Sequence, residues 1–390
     1  MKSMAPRATT ATTTATRAMN LVDRARERVV PTLTRASAYK GSHGGKFVIL
    51  GGSKVYVGAP YFAAAGAMRA GGDLVHIVTH AACAQTIKSY APDVIVHEGW
   101  ARDATTTTKG TPTTSDVVDG VLDIVRRYRI DAAVIGPGLD DGAGLECVEA
   151  MTRTLGTCVV DADALKTLTP ERETTTTRDG GDAPLATPNK MELWRLVQKV
   201  RPEAFPDGVT TMDLREEAHR ARVARALREY RRFDFLVKGD DDYLFVPRRD
   251  EDDAAVFAAV VDRLNADPTD DEDAGEEDED ARGVRAATTE DGVLVVRLPC
   301  VGAPKRSGGQ GDILAGVLAV FLFWCRRTPH AIDRTPTDAL LDRVAAVAAA
   351  CRLVKRAARD AYADLGRGLI AADVIDRIPR AFMRELADPR

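Results

Sequence analysis

The chain has 390 residues, of which 45% are hydrophobic and 29% are charged, and its formal net charge is −4. This length allows one large α/β domain or two smaller ones. The six cysteines form no Cys-x-x-Cys pair, which disfavours a zinc site or a disulfide framework. The longest apolar run, Ile313 to Trp324, is shorter than the ~18 residues that indicate a membrane span. We therefore expect a soluble intracellular protein without a membrane partner.

Charge is distributed unevenly along the chain. Residues 250–280 contain fifteen Asp or Glu and one Arg, a local charge of −14, which leaves about +10 for the rest. A basic body suits polyanionic ligands such as nucleotides. Nucleic acid is not an expected partner, because the basic residues are scattered, without aromatic interleaving or a recognisable binding module.

The N-terminal residues 1–38 are rich in Thr, Ala and Arg and have no acidic residue before Asp23. This composition resembles an organellar transit peptide. A disordered tail is an equally good interpretation, because similar Thr runs recur at Thr105 to Thr108 and at Thr174 to Thr177. The location expected is cytoplasmic or, with a transit peptide, mitochondrial or plastid. The folded domain is expected over residues 39–390.

Alternating strands and helices are predicted from Lys46 onwards. The first strand, Lys46 to Leu50, leads through Gly51-Gly-Ser into an Ala-rich helix, and strands follow at Asp73 to Val78 and Asp93 to Val96. Their near-continuous apolar character is typical of a sheet buried on both faces. Neither the dinucleotide G-x-G-x-x-G fingerprint nor a P-loop occurs here.

Two further strands end in residues suited to ligand contact. Ala132 to Ile135 is followed by Gly136-Pro-Gly138, and Cys158 to Val160 is followed by Asp161 and Asp163. Alternation of this kind indicates a parallel sheet, whose ligands gather at the carboxyl ends of the strands. Each Asp taken alone is more simply a helix or turn cap.

The middle of the chain places more polar groups at predicted strand ends. A short strand ends at Pro188 and a helix begins at Asn189 to Glu192, with Leu193 and Trp194 at ordinary core positions. A charged surface helix is predicted over Met212 to Arg232. The next strand ends at Lys238, which either approaches a phosphate or is a solvated charge.

Two antiparallel strands are predicted at Asp240 to Val246 and Val293 to Leu298. Between them, residues of about 248–289 have the composition of a disordered insertion, to which we assign no catalytic role. After the second strand come a glycine-rich stretch and three predicted helices, at Ile313 to Trp324, Thr337 to Asp364 and close to Ile375.

The glycine-rich stretch, Pro299 to Gly316, lies where a strand becomes a helix. Gly308, Gly309 and Gly311 can adopt backbone angles closed to other residues, so that several N–H groups point at one anion beside the positive end of the helix. Asp312 is predicted in the first helical turn. A carboxylate beside bound phosphate suggests a base that deprotonates an attacking hydroxyl, and the alternative is a helix cap.

Five segments in this order resemble the ribokinase-like family of ATP-dependent NAD(P)H-hydrate dehydratases. They are Gly51-Gly-Ser with Tyr56 to Phe62, Gly136 to Leu139, Thr187 to Asn189 with Glu192, Lys238 to Asp242, and Gly302 to Asp312. The likeness extends from Lys40 to about Pro379, and Gly-Gly-Gln-Gly-Asp is its most specific part. It implies a ribokinase-like three-layer α/β fold, with a mostly parallel central sheet flanked by helices on both faces.

The resemblance also implies site residues. Asp312 would contact the hydrated nicotinamide and act as general base on its ring hydroxyl. The hydrate-binding residues implied are Gly138, Asn189, Lys190, Met191, Glu192, Leu193, Trp194, Arg195 and Asp312. The ATP-binding residues implied are Lys238, Gly239, Asp240, Asp241, Asp242, Gly302, Ala303, Pro304, Lys305, Arg306, Ser307, Gly308, Gly309, Gln310 and Gly311. Asp140 departs from the family, which commonly has a glycine there.

The implied reaction is repair of the hydrated S form of NADH or NADPH at the expense of ATP, which becomes ADP and phosphate. Mg²⁺ would bridge ATP oxygens, with its protein ligands unassigned, and an NAD(P)H-hydrate epimerase would be the functional partner. An alternative within the fold is a kinase of a small hydroxylated metabolite, such as a vitamin precursor alcohol. A third possibility is a nucleotide-binding regulatory protein whose acidic insertion recruits a basic partner.

Overall fold

The computed structural model describes residues 20–33, 43–101, 114–140, 143–170, 182–266, 283–328, 331 and 333–387. Its centre is a sheet of ten strands in the order β3-β2-β1-β4-β5-β6-β7-β8-β10-β9. The strands are β1 (Lys46–Leu50), β2 (Leu74–His80), β3 (Ile95–Trp100), β4 (Ala132–Ile135), β5 (Thr157–Val160), β6 (Leu185–Ala186), β7 (Asp234–Val237), β8 (Asp242–Pro247), β9 (Arg285–Thr288) and β10 (Val293–Leu298). Strands β1 to β7 pair in parallel, and β8, β10 and β9 extend the sheet antiparallel.

Helices cover both faces of this sheet. They are α1 (Leu21–Arg28), α2 (Gly58–Ala70), α3 (Ala81–Lys88), α4 (Thr114–Tyr128), α5 (Val148–Thr154), α6 (Lys190–Val200), α7 (Glu217–Leu227), α8 (Asp253–Asn265), α9 (Gln310–Arg327), α10 (Pro336–Leu365) and α11 (Ala371–Glu385). One apolar cluster lies on the face of α2, α9, α10 and α11, and a second on the face of α4 to α7. The predicted three-layer α/β fold is confirmed.

Helix α9 is the central helix of the first face, because thirteen of its eighteen residues are buried. It packs against α2 at two glycines that allow the backbones to touch. A Cβ atom on Gly316 would stand 2.0 Å from the carbonyl oxygen of Ala63, and one on Gly66 would stand 2.5 Å from that of Ile313. Any larger residue at either position would force the two helices apart.

Part of the N-terminal region, for which a disordered tail or a transit peptide was expected over residues 1–38, is folded. Residues 20–33 are described, and they contain α1, with Asn20 as its N-cap. The buried carboxylate of Asp342 on α10 holds this helix, 2.7 Å from Arg24 and 2.9 Å from Arg28. Within α1, disorder was therefore the wrong expectation, and residues 1–19 lie outside the described part.

The acidic insertion expected at about 248–289 is also partly folded. Helix α8 occupies Asp253–Asn265 and buries Phe257, Val260 and Leu264, which recur at helical spacing. Strand β9 adds to the sheet edge beside β10. Disorder was wrong for these two elements, while residues 267–282 lie outside the described part.

No helix in the described ranges is long and apolar enough to cross a membrane.

Candidate active site

The parallel strands direct their carboxyl ends to the edge of the sheet where α9 begins. Gly309 is the N-cap of α9, with φ of 91°, and it is the one glycine of Gly308, Gly309 and Gly311 that adopts a left-handed conformation. The first amides of a helix have no intrahelical acceptor, so they can bind an anion. Asp312 lies in this first turn, as expected, and it is not the cap.

A buried ion pair lies beside the start of α9. The Lys238 ammonium, just after β7, stands 2.5 Å from Oδ1 of Asp161, just after β5. The Thr187 hydroxyl donates to the same oxygen at 2.8 Å. A Cβ atom on Gly311 would lie 3.4 Å from the Lys238 nitrogen. The lysine is therefore in contact with the first turn of α9, and Asp161 fixes it there.

Asp161 was singled out from the sequence, but a cap was the simpler interpretation. In the structure its side chain makes no capping hydrogen bond. Its carboxylate is almost fully buried and serves Lys238 and Thr187 instead. The signal available was its place after a buried strand, whereas its lysine partner comes from a distant part of the chain.

The surroundings change the acidity of the groups in this cluster. Burial, followed by the negative charge of Asp161, raises the pKa of Asp312 to about 8. Burial also raises the pKa of Glu192. For Lys238, burial opposes the charge, yet the carboxylates of Asp161, Glu192 and Asp312 outweigh it and raise the pKa. Asp312 is thus a carboxylate of unusual basicity beside a lysine that stays charged.

A cavity of about 910 Å³ opens on the same edge of the sheet. It brings together Lys238 to Asp242 with most of the glycine-rich loop, as a nucleotide site would require. Its apolar wall comes from Cys300, Leu314, Cys351, Val354 and Ala358, which were not predicted.

Lys305, Gly308, Gly309 and Asp312 do not line this cavity. The Lys305 ammonium instead donates to the carbonyl of Leu369 at 2.8 Å, which ties the loop to the turn before α11.

Protein cations bind the acidic residues of the cavity. Lys355 on α10 pairs with the buried carboxylate of Asp242 at 2.8 Å, and Asp242 also accepts the Gly239 amide at 2.9 Å. Arg297 on β10 pairs with Asp241 at 2.7 Å, while Arg306 pairs with Asp240 at the surface. These pairs shape the loop after β7. Lys355 and Arg297 were missed because each lies in a different element from its partner.

The segment implied to bind the hydrate divides into cap, core and surface. The Asn189 side chain accepts the amides of Met191 and Glu192 at 2.9 and 3.0 Å, and Glu192 accepts the Asn189 amide at 2.8 Å. Leu193 is fully buried in the second cluster and Trp194 packs against it. The Leu193 side chain is thus a core position, as its apolar character indicated, and its implied contact with the hydrate stays a prediction. The side chains of Lys190, Met191 and Arg195 are exposed.

The turn after β4 lies against the turn after β1, at the point where the strand order reverses. Gly138 has φ of 67°, and a Cβ atom there would be 2.8 Å from that of Tyr56. Asp140 also adopts a left-handed φ of 57°, a conformation that glycine accepts without strain. Its amide donates to Asp163 at 2.8 Å. The turn therefore keeps a glycine-like shape despite the departure at Asp140.

Metal ligands are sparse in the described ranges, where no group of three or more His, Cys, Asp or Glu residues could hold a metal ion. Mg²⁺ commonly binds proteins through one or two carboxylates, substrate phosphates and water. The residues present do not form a protein cage for this ion.

The chain is similar to known proteins along most of its length. The model of the NAD(P)H-hydrate dehydratase family matches residues 47–256. A relative from Physcomitrium patens, named ATP-dependent (S)-NAD(P)H-hydrate dehydratase, is 30% identical over 307 residues, 77% of this chain and 75% of the relative. One of the same name from Drosophila pseudoobscura pseudoobscura is 29% identical over 373 residues, 92% of each chain.

Among solved structures, the ADP/ATP-dependent NAD(P)H-hydrate dehydratase from Bacillus subtilis, co-crystallised with ATP/Mg²⁺, has a TM-score of 0.56 at 19% identity, over 93% of this chain and 96% of its own. A ribokinase-like superfamily protein from Enterococcus faecalis has a TM-score of 0.58 at 15% identity, over 96% and 97% of the two chains. These two likenesses concern the fold. The sequence matches go further, and by them this chain belongs to the NAD(P)H-hydrate dehydratase family.

Proposed function

We propose that the chain dehydrates the S form of hydrated NADH and NADPH at the expense of ATP, with release of ADP and phosphate. The observation that carries the proposal is the carboxylate of Asp312, of raised pKa, in the first turn of a helix beside Lys238. The nucleotide would occupy the 910 Å³ cavity, and the hydrated ring would lie at Asp312. An epimerase that interconverts the two hydrate forms is the functional partner we infer.

The difficulty of the reaction is the leaving group, because hydroxide leaves poorly. Asp312 would take the proton of the ring hydroxyl, whose oxygen then attacks the terminal phosphorus of ATP. The bond from that phosphorus to ADP breaks, and a phosphate ester of the hydrate forms. A carboxylate with a pKa of about 8 is a stronger base than an ordinary one, which suits this proton transfer near neutral pH.

The second half of the reaction restores the reduced ring. The lone pair of the ring nitrogen expels phosphate, which leaves with the electrons of the carbon–oxygen bond. The neighbouring ring carbon then loses a proton, and the double bond returns. The sum is one hydrate and one ATP converted to NAD(P)H, ADP, phosphate and a proton.

Charge develops on the phosphate oxygens, and two features of the chain would stabilise it. The first is the set of open amides at the start of α9, which are fixed in place before the reaction. The second is the Lys238 ammonium, which Asp161 and Thr187 hold against that turn. Mg²⁺ would accompany ATP, bound by phosphate oxygens and water, and would supply further charge stabilisation when bound.

The test follows purified protein with hydrated NADH, Mg²⁺ and ATP. We expect the absorbance of the reduced nicotinamide to return together with phosphate release, at a rate that rises with pH through about 8 as Asp312 ionises. Asp312→Asn should lower the rate by about 10²- to 10⁴-fold while ATP still binds. Asp376→Asn, on the exposed side of α11, controls for loss of a carboxylate.

Two results would overturn the proposal. Normal turnover by Asp312→Asn would show that Asp312 is not the general base. A stable phosphorylated alcohol in place of released phosphate would favour a kinase of a small hydroxylated metabolite. The location we infer is intracellular: the cytoplasm or, with a transit peptide in residues 1–38, the mitochondrion or plastid.

A further inference from the structure

A second cavity, of about 420 Å³, lies between α7 and the antiparallel end of the sheet. Its helical wall is α7, on the face of the second apolar cluster, whereas the helical wall of the nucleotide cavity comes from α9 and α10, on the face of the first cluster. Four arginines line it: Arg215, Arg220, Arg285 and Arg297. The volume is within the range of small-molecule sites.

The strand register explains why these side chains converge. Arg297 on β10 is directly opposite Tyr243 on β8 and Arg285 on β9, so the three residues form one row across three strands. Helix α7 covers this row and contributes Arg220, while Arg215 lies in the turn before the helix. Tyr243 is buried, with 4% of its surface exposed. Its hydroxyl adds a polar group to a wall of guanidinium groups.

Only half of this positive charge is compensated by carboxylates of the described residues. Arg215 is 2.6 Å from Asp213, and Arg297 is 2.7 Å from Asp241. Arg220 donates to the carbonyls of Leu214 and Arg215 at 2.8 and 2.7 Å, and Arg285 donates to that of Val284 at 3.1 Å. Within the described ranges, therefore, no carboxylate pairs with the guanidinium group of Arg220 or Arg285. A site with surplus guanidinium groups favours a multivalent anion.

We propose that this cavity binds a small phosphate-class oxyanion, either inorganic phosphate or the phosphoryl group of a small metabolite. Planar guanidinium groups match the oxygens of a phosphate in paired hydrogen bonds. The site is separate from Asp312, and it does not depend on the dehydratase activity.

The cavity is also linked to the nucleotide site. Arg297 lines both cavities, and its partner Asp241 lines the nucleotide cavity. An anion that draws Arg297 towards it weakens the hold of Arg297 on Asp241, in the loop that faces the nucleotide. Occupancy of the second cavity should therefore change ATP affinity, and ATP should change anion affinity by the same factor.

The test is calorimetric titration with inorganic phosphate and, separately, glycerol 3-phosphate. The protein is full length, free of Mg²⁺ and saturated with a non-hydrolysable ATP analogue, so that the nucleotide cavity is occupied. Arg285→Gln is the cleanest variant, because in the described part of the chain the side chain of Arg285 donates only to the carbonyl of Val284. We expect it to weaken binding by at least about tenfold. Arg220→Gln should act similarly, although it also loosens the turn before α7.

Arg225→Gln is the matched control. Arg225 is on α7, as Arg220 is, and it pairs with Asp291 outside the cavity. It should leave anion affinity unchanged. Tighter binding of glycerol 3-phosphate than of phosphate would identify an organic phosphate as the ligand class, and the reverse would identify the free oxyanion. The proposal fails if the wild type binds neither probe at concentrations on the order of 10 mM, or if Arg285→Gln binds as well as Arg225→Gln.

Discussion

Asp312 combines a chemical advantage with a cost in stability. Its pKa of about 8 means that the folded protein holds the neutral form more readily than the unfolded chain, where an aspartate titrates near its ordinary value. Between about pH 4 and pH 8 the folded state therefore binds more protons. Stability attributable to this group falls as the pH rises through that window, and the full penalty is present above it.

We predict that Asp312→Asn stabilises the protein at alkaline pH, because the amide cannot become charged. The free energy of unfolding should rise by more than about 1 kcal/mol at pH 9 and change little at pH 4. Denaturant melts of the wild type and the variant at both pH values check this, with Asp376→Asn as the control. A variant less stable than the wild type at pH 9 would show that the buried carboxylate is well solvated or paired.

Residue types at strand ends were predictable from the sequence, and their partners were not. Lys238 and Asp312 were singled out because each follows a strand or a glycine-rich turn. The pairing of Lys238 with Asp161 joins residues 77 positions apart in the chain, which no local pattern records. Leu193 was predictable as a core position from its apolar character, and it is fully buried.

Among the elements, α8 shows how charge can obscure a helix. Phe257, Val260 and Leu264 recur with helical spacing and pack on the first apolar cluster, yet they stand next to the most acidic stretch of the chain. The composition of residues 250–280 as a whole predicts disorder, and it therefore conceals the helical spacing of these three residues. The long helix α10 was predictable because Thr335 caps it, Pro336 begins it and alanines fill it.

A side chain of α8 joins the two elements that flank residues 267–282. Asn265 donates to the Ala286 carbonyl at 2.7 Å and accepts the Ala286 amide at 2.9 Å, so that α8 and β9 are joined. We predict that a Gly/Ser linker of about six residues can replace 267–282 without loss of dehydratase activity, since a shorter loop closes at a lower entropic cost.

Turnover and melting temperature measure the effect of this replacement. The same replacement carrying Asn265→Ala is the comparison, and it should melt at a lower temperature. Loss of activity in the replaced chain, with its melting temperature unchanged, would instead assign a functional role to the acidic segment.

At the scale of the whole molecule, α1 joins the N-terminal region to the core. Leu21, Ala25 and Val29 are buried in the first apolar cluster, and Arg24 and Arg28 pair with the buried Asp342. Without α1, Asp342 would keep one of its ion pairs in the described part of the chain, the pair with Arg334 at 3.9 Å. Breaking buried pairs of this kind costs about 3–5 kcal/mol.

We predict that a chain beginning at residue 34 is less stable than one beginning at Asn20 by at least about 3 kcal/mol. Both truncations remove the same Thr-rich residues, so that their difference isolates α1. Urea denaturation gives the two free energies of unfolding. Equal values would mean that Asp342 gains other partners or water once α1 is gone.

The contact between α2 and α9 has a consequence for motion during turnover. Gly316 lies one helical turn beyond Asp312, with its backbone against the carbonyl of Ala63. Because neither helix can slide at this contact, we expect Asp312 to keep its position relative to α2. Adjustment to the arriving nucleotide then falls to the segment from Pro299 to Gly309. The proposed base would then keep a fixed position while this segment brings the phosphate to it.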